Sequence, residues 1–365
     1  MSKITIDLRM IKASGIGTYL YNLIPRIIKE KPQDKFVLLG MEKNLREIPW
    51  TDQSNITIRN CTSGIYTIQE QIELIRNIPV DTNLFWSPHY NIPLRYRGKL
   101  LVTVHDLFHL AMPQMVPGIH KKFYAKLMFS QVSSKADAII CISKFTKKEL
   151  VRLTHCKEAK IHLVYNGTNE FRHNIEKECS PYPKPFLLFV GNVKPNKNLV
   201  NLVKAFDLIK NKIPHDLVIV GKKEGFITSD DAVFKIASQL GARISFTGYI
   251  DDATLIQYYK HSVALVFPSI YEGFGLPPLE AMACDCPAIV SNKASLPEVC
   301  GDAALYCEPL NYEDIAAKIL DITNDQKLRE TLVSNGRRRI LLFTWEECAQ
   351  KTLNIIENIL TEENE

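Results

Sequence analysis

Residues Ser262–Gly301 read SVALVFPSIYEGFGLPPLEAMACDCPAIVSNKASLPEVCG, and this stretch decides the fold. Its apolar run Val263–Phe267 predicts a buried strand. A glycine-containing loop, Glu272–Gly275, follows the strand. Pro277 or Pro278 then begins a helix, since proline is well tolerated in the first turn of a helix. The stretch therefore predicts a strand, a loop and a helix in succession, which is the repeating pattern of α/β folds.

The loop after this strand has the properties of a phosphate-binding site. Loops that follow parallel strands gather at the carboxyl edge of the sheet, where ligands bind in open α/β folds. The N-terminus of the next helix offers unpaired backbone N–H groups and a partial positive charge. Gly273 and Gly275 let a ligand approach the backbone closely. We therefore predict that a phosphate group binds at this loop.

Two glutamates bracket the loop, Glu272 on the loop itself and Glu280 inside the first turn of the predicted helix. Both oxygens of a carboxylate accept hydrogen bonds, so carboxylates bind vicinal hydroxyls well. The pair therefore predicts contacts with hydroxyl groups at two ends of one ligand. The alternative for Glu280 is a favourable charge in a first helical turn, worth about 0.3–1 kcal/mol.

The same succession of strands and helices fills the rest of the chain. Strands are predicted in the first half at Ile4–Leu8, Phe36–Leu39, Ile56–Ile58, Leu84–Trp86, Leu100–Val104, Ala138–Ile142 and Ile161–Val164. The polar stretch Arg172–Pro185 contains three prolines and predicts a linker, after which the pattern restarts at Phe186–Val190. Alternating strands and helices favour parallel sheets covered on both faces. The sequence thus predicts two similar α/β domains.

The run EGFGLPPLEAMACDCPAIVSNKASLPEVCGDAA, residues 272–304, resembles the signature of the retaining glycosyltransferases of family 4. The resemblance implies that Glu272 lies by the donor sugar and that Glu280 contacts the nucleotide ribose. The other donor-binding residues that it implies on this loop are Gly273, Phe274, Gly275 and Leu276.

The resemblance also implies the GT-B fold, in which two Rossmann-like domains face each other across a cleft that holds a nucleotide-sugar donor. Residues 1–175 are then expected to form the acceptor-side domain and residues 186–343 the donor domain. Residues 344–365 contain an amphipathic helix, Trp345–Leu360, which is expected to pack back on the N-terminal domain.

A second strand, loop and helix lie at Phe189–Asn198, FVGNVKPNKN, and place Lys197 where the helix begins. The ammonium group of Lys197 and the helix end can converge on a diphosphate. The family has a similar basic loop, so the resemblance implies that Gly191 and Asn192 also bind the donor. The alternative for Lys197 is an exposed surface lysine.

The sequence leaves the second cation of this loop open. Family members often carry an arginine just after the first glycine or just before the lysine, where this chain has Asn192 and Asn196. Lys194 and Lys222 are the candidates to supply the second charge.

A third motif, Ser14-Gly15-Ile16-Gly17-Thr18, follows the first predicted strand. Family members have a glycine loop at this point, so we expect Gly15 and Gly17 to lie over the donor phosphates. Alone, the motif is equally typical of an ordinary turn.

His105 follows the predicted strand Leu100–Val104 and precedes Asp106. Family members commonly carry His-Asp here, and the resemblance implies that the histidine approaches the donor sugar. We therefore predict Glu272, His105 and Lys197 as the catalytic residues. The alternative for His105 is a structural histidine that is bonded to Asp106.

The expected reaction moves a hexose, by family tendency mannose, from a nucleoside diphosphate to a glycan or lipid-linked acceptor. The resemblance implies retention of anomeric configuration and a role in cell-surface polysaccharide or lipopolysaccharide biosynthesis. Lys197 and backbone N–H groups are expected to stabilise the leaving diphosphate. No cofactor or metal is expected, because these groups supply the positive charge and no Asp-x-Asp motif falls in a suitable loop.

Two other classes of function stay open. One is a sugar-nucleotide epimerase of the same fold, and Glu-x7-Glu at Glu272 and Glu280 argues against it. The other is a non-catalytic protein that binds a nucleotide or a glycan, and the presence of Lys197 beside both glutamates argues against that class.

Composition narrows the partners and the location. The chain has 365 residues and a formal charge of +5, an excess too mild to indicate a dedicated nucleic-acid binder. Nine cysteines with scattered spacings predict reduced, mostly buried thiols. The N-terminus MSKITIDLRM lacks the long apolar run of a signal peptide. We therefore expect a cytoplasmic protein.

The stretch Ile119–Ser133, IHKKFYAKLMFSQVS, interleaves three lysines with aromatic and aliphatic residues. Lys121, Lys122 and Lys126 alternate with Phe123, Tyr124, Leu127 and Phe129. A basic amphipathic helix of this kind can lie on an anionic membrane at its inner face and receive a lipid-linked acceptor. The alternative is a surface helix packed on the domain.

Overall fold

The computed structural model describes residues 1–168, 176, 178–221 and 231–361. The chain forms two compact units. The first unit comprises Met1–Pro113, Gly118–Gly167 and Trp345–Glu365, and the second comprises Gln114–Pro117 and Thr168–Thr344. Of the predicted linker Arg172–Pro185, residues 172–175 and 177 lie outside the described residues.

The first unit is built on a seven-stranded parallel sheet with the strand order β3-β2-β1-β4-β5-β6-β7. Its strands are β1 (Lys3–Asp7), β2 (Lys35–Gly40), β3 (Ile56–Asn60), β4 (Leu84–Ser87), β5 (Leu100–Val104), β6 (Ala138–Cys141) and β7 (Ile161–Leu163). Its helices are α1 (Ser14–Glu30), α2 (Glu42–Arg46), α3 (Ile68–Asn77), α4 (Phe108–Ala111), α5 (Ile119–Lys135), α6 (Lys144–Thr154) and α14 (Trp345–Thr361).

Helices cover both faces of this sheet, because its central strands are apolar on both sides. Every residue of β4 and β5 is buried. On one face, α1 and α14 pack with the sheet into one apolar core, and the ring of Trp345 lies 6.2 Å from that of Tyr19. On the other face, α5 buries Met128 and Phe129 in a second core. The C-terminal helix therefore packs on the N-terminal domain, as predicted.

The second unit is built on a six-stranded parallel sheet with the order β10-β9-β8-β11-β12-β13. Its strands are β8 (Phe186–Val190), β9 (Asp216–Val220), β10 (Ile244–Gly248), β11 (Ala264–Phe267), β12 (Ala288–Ser291) and β13 (Ala304–Cys307). Its helices are α7 (Leu199–Ile209), α8 (Asp231–Gln239), α9 (Asp252–His261), α10 (Leu276–Ala283), α11 (Leu296–Cys300), α12 (Tyr312–Asn324) and α13 (Gln326–Ile340). Two Rossmann-like α/β units are thus confirmed.

Both sheets contain a point at which the strand order reverses. In the first unit, the strands that follow β1 lie on one side of it, and the chain then returns to place β4 on its other side. In the second unit, β8 and β11 have the same relationship. Connections leave two such neighbouring strands in opposite directions, which opens a crevice at their carboxyl ends where ligands bind. The two reversal points are therefore the places in each unit where a site is expected.

The structure corrects two predicted element boundaries. The glycine motif is not a loop, because α1 begins at Ser14 and takes Gly15 and Gly17 into its first turn. A Cβ at Gly17 would lie 2.5 Å from the carbonyl oxygen of Ile11, so glycine is needed for this close approach.

The nine cysteines are free, and only Cys179 is exposed, as predicted.

The second correction concerns α10, which begins at Leu276, before either proline. Pro277 and Pro278 fit there because the first N–H groups of a helix have no intrahelical partner to lose. Glu280 is consequently the fifth helical residue and belongs to the second turn. The alternative interpretation of Glu280 as a first-turn charge is therefore wrong.

Candidate active site

The reversal point of the second unit brings together two of the predicted catalytic residues. Lys197 follows β8 and Glu272 follows β11, and Lys197 Nζ lies 2.7 Å from Glu272 Oε1. Both side chains are mostly buried, with 17% and 13% of their surface exposed. The ammonium group also lies 4.9 Å from the ring centroid of Phe267. Glu272 and Phe267 thus hold the ammonium group of Lys197 in place at the crevice. The alternative interpretation of Lys197 as an exposed surface lysine is wrong.

Asn196 ties the two loops to each other. Its side-chain amide nitrogen donates to the backbone carbonyl oxygen of Tyr271 at 3.1 Å. Its backbone carbonyl oxygen accepts from the N–H of Ile270 at 2.8 Å. At the position before the lysine, where the family often has arginine, this chain therefore has a residue that positions Lys197 against Glu272. No local motif indicates this role of Asn196, because its partners lie some 75 residues further along the chain.

The conformation and hydrogen bonds of Asn198 explain why asparagine follows Lys197 in this motif. It has φ +59°, in the left-handed region that asparagine tolerates better than most residues. Its buried amide donates to the carbonyl oxygens of Pro268, at 3.0 Å, and Pro309, at 2.5 Å. The turn before α7 is thereby fixed to neighbouring loops, which holds the backbone that carries Lys197.

Ser295 holds the Glu272 loop from the other side. Its buried hydroxyl is 2.9 Å from the carbonyl oxygen of Glu272 and 2.7 Å from that of Phe274. Gly275 has φ +110°, and a Cβ there would lie 2.6 Å from Leu296 Cδ2. The loop is therefore rigidly placed, and glycine is required at its end.

The remaining predicted donor-binding residues of this unit border the same two loops. Gly191 and Asn192 follow β8, and Gly273 and Leu276 flank the turn into α10. The ring of Phe274 is buried, with 3% exposed, and packs edge-to-face on Phe343 at 5.6 Å. A ligand would thus meet the backbone of Phe274 rather than its ring.

Glu280 lies on α10, partly exposed, and accepts a hydrogen bond from the hydroxyl of Tyr259 at 3.1 Å. The tyrosine holds the carboxylate in one orientation. Of the two candidates for a second cation, Lys194 is half-buried on the loop after β8, and Lys222 lies outside the described residues.

His105 lies at the carboxyl end of β5 in the first unit, as predicted. Its Nε2 is 3.0 Å from the carbonyl oxygen of Pro88, and because a carbonyl only accepts, Nε2 carries the proton. Burial lowers the pKa of His105 to about 4, against smaller opposing effects of the Pro88 hydrogen bond and the charge of Asp106. The imidazole is therefore neutral at neutral pH.

The carboxylate oxygen Oδ1 of Asp106 does not hold His105. It accepts a hydrogen bond, at 2.9 Å, from the N–H of Phe108, the first residue of α4. The ring of Tyr19 meets the imidazole edge-on at 4.9 Å. The orientation of His105 is thus set by Pro88 and Tyr19.

Comparison with known proteins identifies the class of protein. Residues 170–339 match the glycosyl transferases group 1 family, and residues 56–171 match glycosyltransferase family 4. The chain belongs to the family 4 glycosyltransferases and is a glycosyltransferase.

A relative of similar length is the O-antigen chain mannosyltransferase B of Escherichia coli. It is 30% identical over 368 residues, which cover 93% of this chain and 95% of that protein. This relationship favours a sugar transferase over the epimerase and the non-catalytic binding protein.

Solved structures show the GT-B fold. Sucrose-phosphate synthase of Thermosynechococcus elongatus matches with a TM-score of 0.78 at 20% identity, over 98% of this chain and 99% of that one. The Anabaena protein Alr3699/HepE in complex with UDP and glucose matches with a TM-score of 0.76 at 16% identity, over 98% and 100% of the two chains.

Proposed function

We propose that this chain transfers mannose from a nucleoside-diphosphate sugar to a glycan or lipid-linked acceptor, with retention of configuration, in the synthesis of a surface polysaccharide. The contact of Lys197 with Glu272 at a sheet reversal point is the observation that carries the proposal. The choice of mannose rests on the O-antigen mannosyltransferase that is similar along nearly the whole chain.

The main requirement that the transfer reaction makes of the protein is to stabilise the charge on the leaving group. A bond forms between the acceptor oxygen and the anomeric carbon, and the bond from that carbon to the diphosphate oxygen breaks. The proton of the acceptor hydroxyl ends on the departing diphosphate or in solvent. Negative charge therefore accumulates on the leaving group, where Lys197 and the N-termini of α7 and α10 would stabilise it. In this proposal Glu272 orients the donor sugar, Glu280 binds the ribose and Gly191 and Asn192 border the diphosphate.

We propose separate roles for the predicted residues of the first unit. The first turn of α1, with Gly15 and Gly17, would offer backbone N–H groups to donor phosphates. A neutral His105, whose Nε2 proton is donated to Pro88, would accept a hydrogen bond from a sugar hydroxyl at Nδ1 without adding charge. We propose that no metal takes part, because a held lysine and two helix ends already supply positive charge.

A nucleotide screen tests the donor. UDP, GDP, ADP and dTDP are each added with EDTA, and thermal stabilisation is measured for the wild type and Lys197→Ala. A nucleotide at ~100 times its dissociation constant adds about 2.7 kcal/mol to stability. We expect one nucleotide to stabilise the wild type and to bind Lys197→Ala about ten- to a hundredfold more weakly, as for a lost charge-assisted hydrogen bond.

Lys204→Ala is the matched control, because Lys204 is an exposed lysine of α7 that stacks on Tyr312. It should bind nucleotide like the wild type. Stabilisation by none of the four nucleotides would count against the transferase proposal. Stabilisation that requires a divalent cation would count against the metal-free mechanism.

We further propose that the first unit contacts the cytoplasmic face of a membrane through α5. Ile119, Phe123 and Leu127 recur every four residues and form one exposed stripe, with 72%, 65% and 49% of their surface accessible. Lys122 and Lys126 flank the stripe. Apolar side chains between lysines fit an anionic lipid surface. Within the part of the chain that the structure describes, no helix is long and apolar enough to cross a bilayer.

Two other apolar residues of this helix do not belong to the stripe. Phe129 is fully buried, and Tyr124 donates a hydrogen bond to Asn91. Phe129 and Tyr124 therefore belong to the packed side of the helix. The helix has one face in the core and another exposed.

Sedimentation with vesicles tests the membrane proposal. We expect the wild type to bind vesicles that contain phosphatidylglycerol and not vesicles of phosphatidylcholine alone. Phe123→Ser with Leu127→Ser should weaken binding about tenfold or more, since burying such side chains contributes roughly 1.5–3 kcal/mol each. Leu341→Ser with Leu342→Ser, an equally exposed pair on the second unit, should change nothing. Equal binding by all three proteins would contradict the proposal.

A further inference from the structure

Glu280 is placed by a second helix as well as by its own. The chain passes from β10 through α9 to β11 and from β11 through α10 to β12. Both connections run in the same direction across the sheet, and crossovers between parallel strands are right-handed. The two helices therefore cover the same face of the sheet. Side chains on a helix lean toward its N-terminus, so Tyr259, in the last turn of α9, can reach the second turn of α10.

The hydrogen bond between Tyr259 and Glu280 joins a buried donor to a partly exposed acceptor. The ring of Tyr259 is fully buried, and its hydroxyl donates to Glu280 Oε2 at 3.1 Å. Glu280 itself is partly exposed on α10. A glutamate side chain that is free to rotate loses conformational entropy when a ligand fixes it. The buried hydroxyl therefore restricts the carboxylate before a ligand binds.

The helix α9 is itself fixed within the second unit, which gives Tyr259 a defined position. The side chain of Gln257 is 7% exposed and donates to the carbonyl oxygen of Glu176 at 3.1 Å. Its Oε1 accepts from the N–H of Glu178 at 3.2 Å. Just beyond the helix, the hydroxyl of Ser262 donates to the carbonyl oxygen of Tyr259 at 3.0 Å. Both the helix and the backbone of the tyrosine are thus held by hydrogen bonds.

A carboxylate held in this way is suited to bind the hydroxyls of a nucleotide sugar ring. The two oxygens of a carboxylate together accept about four hydrogen bonds, so one carboxylate can accept from a tyrosine and from ribose hydroxyls at the same time. Unlike a lysine or an arginine, a hydroxyl orients the carboxylate without cancelling its charge. Hydrogen bonds to an ionised acceptor are roughly twice as strong as those between neutral groups. Tyr259 therefore orients Glu280 and preserves its strength as an acceptor.

We infer that Tyr259 is a positioning residue for Glu280 and sets the preference of the protein for nucleotides that carry ribose hydroxyls. The inference rests on the proposed function, in which Glu280 binds the ribose, and adds the residue that determines how tightly the ribose is bound. Tyr259 acts through the carboxylate and does not contact the nucleotide in this assignment. Its effect on binding is therefore confined to ligands that have the hydroxyls.

The variant Tyr259→Phe tests the assignment, because it removes the hydroxyl and keeps the buried ring. Calorimetry compares the nucleoside diphosphate selected by the screen with its 2′,3′-dideoxy form, which lacks the hydroxyls that Glu280 is proposed to bind. We expect Tyr259→Phe to bind the complete nucleotide about five- to tenfold more weakly than the wild type does, as for a weakened hydrogen bond to a charged group. It should bind the dideoxy nucleotide within about twofold of the wild type.

Two further variants complete the experiment. Tyr258→Phe is the matched control, because Tyr258 precedes Tyr259 on α9, is 8% exposed and packs its ring on Phe186 at 5.8 Å. It should bind both nucleotides like the wild type. Glu280→Ala should weaken binding of the complete nucleotide at least as much as Tyr259→Phe does. Adding Tyr259→Phe to Glu280→Ala should then have no further effect, since the two residues act as one unit.

Three results would overturn the assignment. The first is unchanged binding of the complete nucleotide by Tyr259→Phe. The second is an equal loss for both nucleotides, because the hydroxyl would then support the fold of the second unit rather than the orientation of Glu280. The third is a further loss when Tyr259→Phe is added to Glu280→Ala. The proposed function survives any of these results, whereas a wild-type protein that binds no nucleoside diphosphate would refute that function itself.

Discussion

Replacing Lys197 with alanine is expected to lower the turnover of sugar transfer about 100- to 1,000-fold, the usual cost of removing one group that stabilises developing charge. The lysine lies 2.7 Å from Glu272 and is 17% exposed, so little of its field is screened by water. Binding of the nucleotide should weaken less than turnover falls, because the charge on the leaving diphosphate is greater in the transition state than in the bound donor.

Steady-state kinetics at saturating acceptor measure this effect, with kcat and donor KM determined separately. Lys204→Ala again serves as the control and should retain the wild-type turnover. A loss confined to donor KM, with kcat unchanged, would show that Lys197 contributes only uniform binding. The proposed role in stabilising the leaving group would then be wrong.

The strand and helix pattern predicted much of this architecture. Apolar runs such as Leu100–Val104 and Phe186–Val190 became strands with those bounds. Lys197 was predicted where a helix begins and Glu272 on the loop after a strand, but their contact was not predicted. The strands that precede them, β8 and β11, are separated in sequence by β9 and β10, and only the order of the folded sheet makes them neighbours. Family resemblance placed the same two residues in one donor site, and the structure supplies the distance.

Other features could not be predicted because each depends on contacts distant in sequence. Arg9 pairs with Glu70, 61 positions further along the chain, and neither residue belongs to a local motif. Tyr66 occupies a conformation that its own sequence disfavours, and the carboxylate of Glu70 imposes it. The glycine motif was predicted as a loop because it follows the first strand and family members have a glycine loop there. In the structure it opens α1, where the close carbonyl of Ile11 requires glycine at position 17.

The Glu272→Gln variant is expected to change binding and turnover in opposite directions. In the free protein the carboxylate of Glu272 competes with a diphosphate for the ammonium group of Lys197. Its neutralisation removes both that competition and a nearby negative charge. We therefore expect the responsive nucleoside diphosphate to bind about three- to tenfold more tightly, a gain of roughly 1 kcal/mol. Turnover should nevertheless fall about 100-fold, because the glutamate is proposed to orient the donor sugar.

Two other carboxylate variants serve as controls for the predicted increase in nucleotide binding. Asp285→Asn removes the partner of Arg337, an exposed ion pair of the same unit at 2.7 Å, and should change neither quantity. Glu280→Gln should weaken nucleotide binding, because Glu280 is proposed to bind the ribose rather than to compete for Lys197. Calorimetry measures the binding and product formation measures the turnover. Weaker nucleotide binding by Glu272→Gln would mean that Glu272 mainly holds Lys197 in place. In that case the ion pair would belong to the bound state as well, and the lysine would contact the diphosphate without leaving its carboxylate partner.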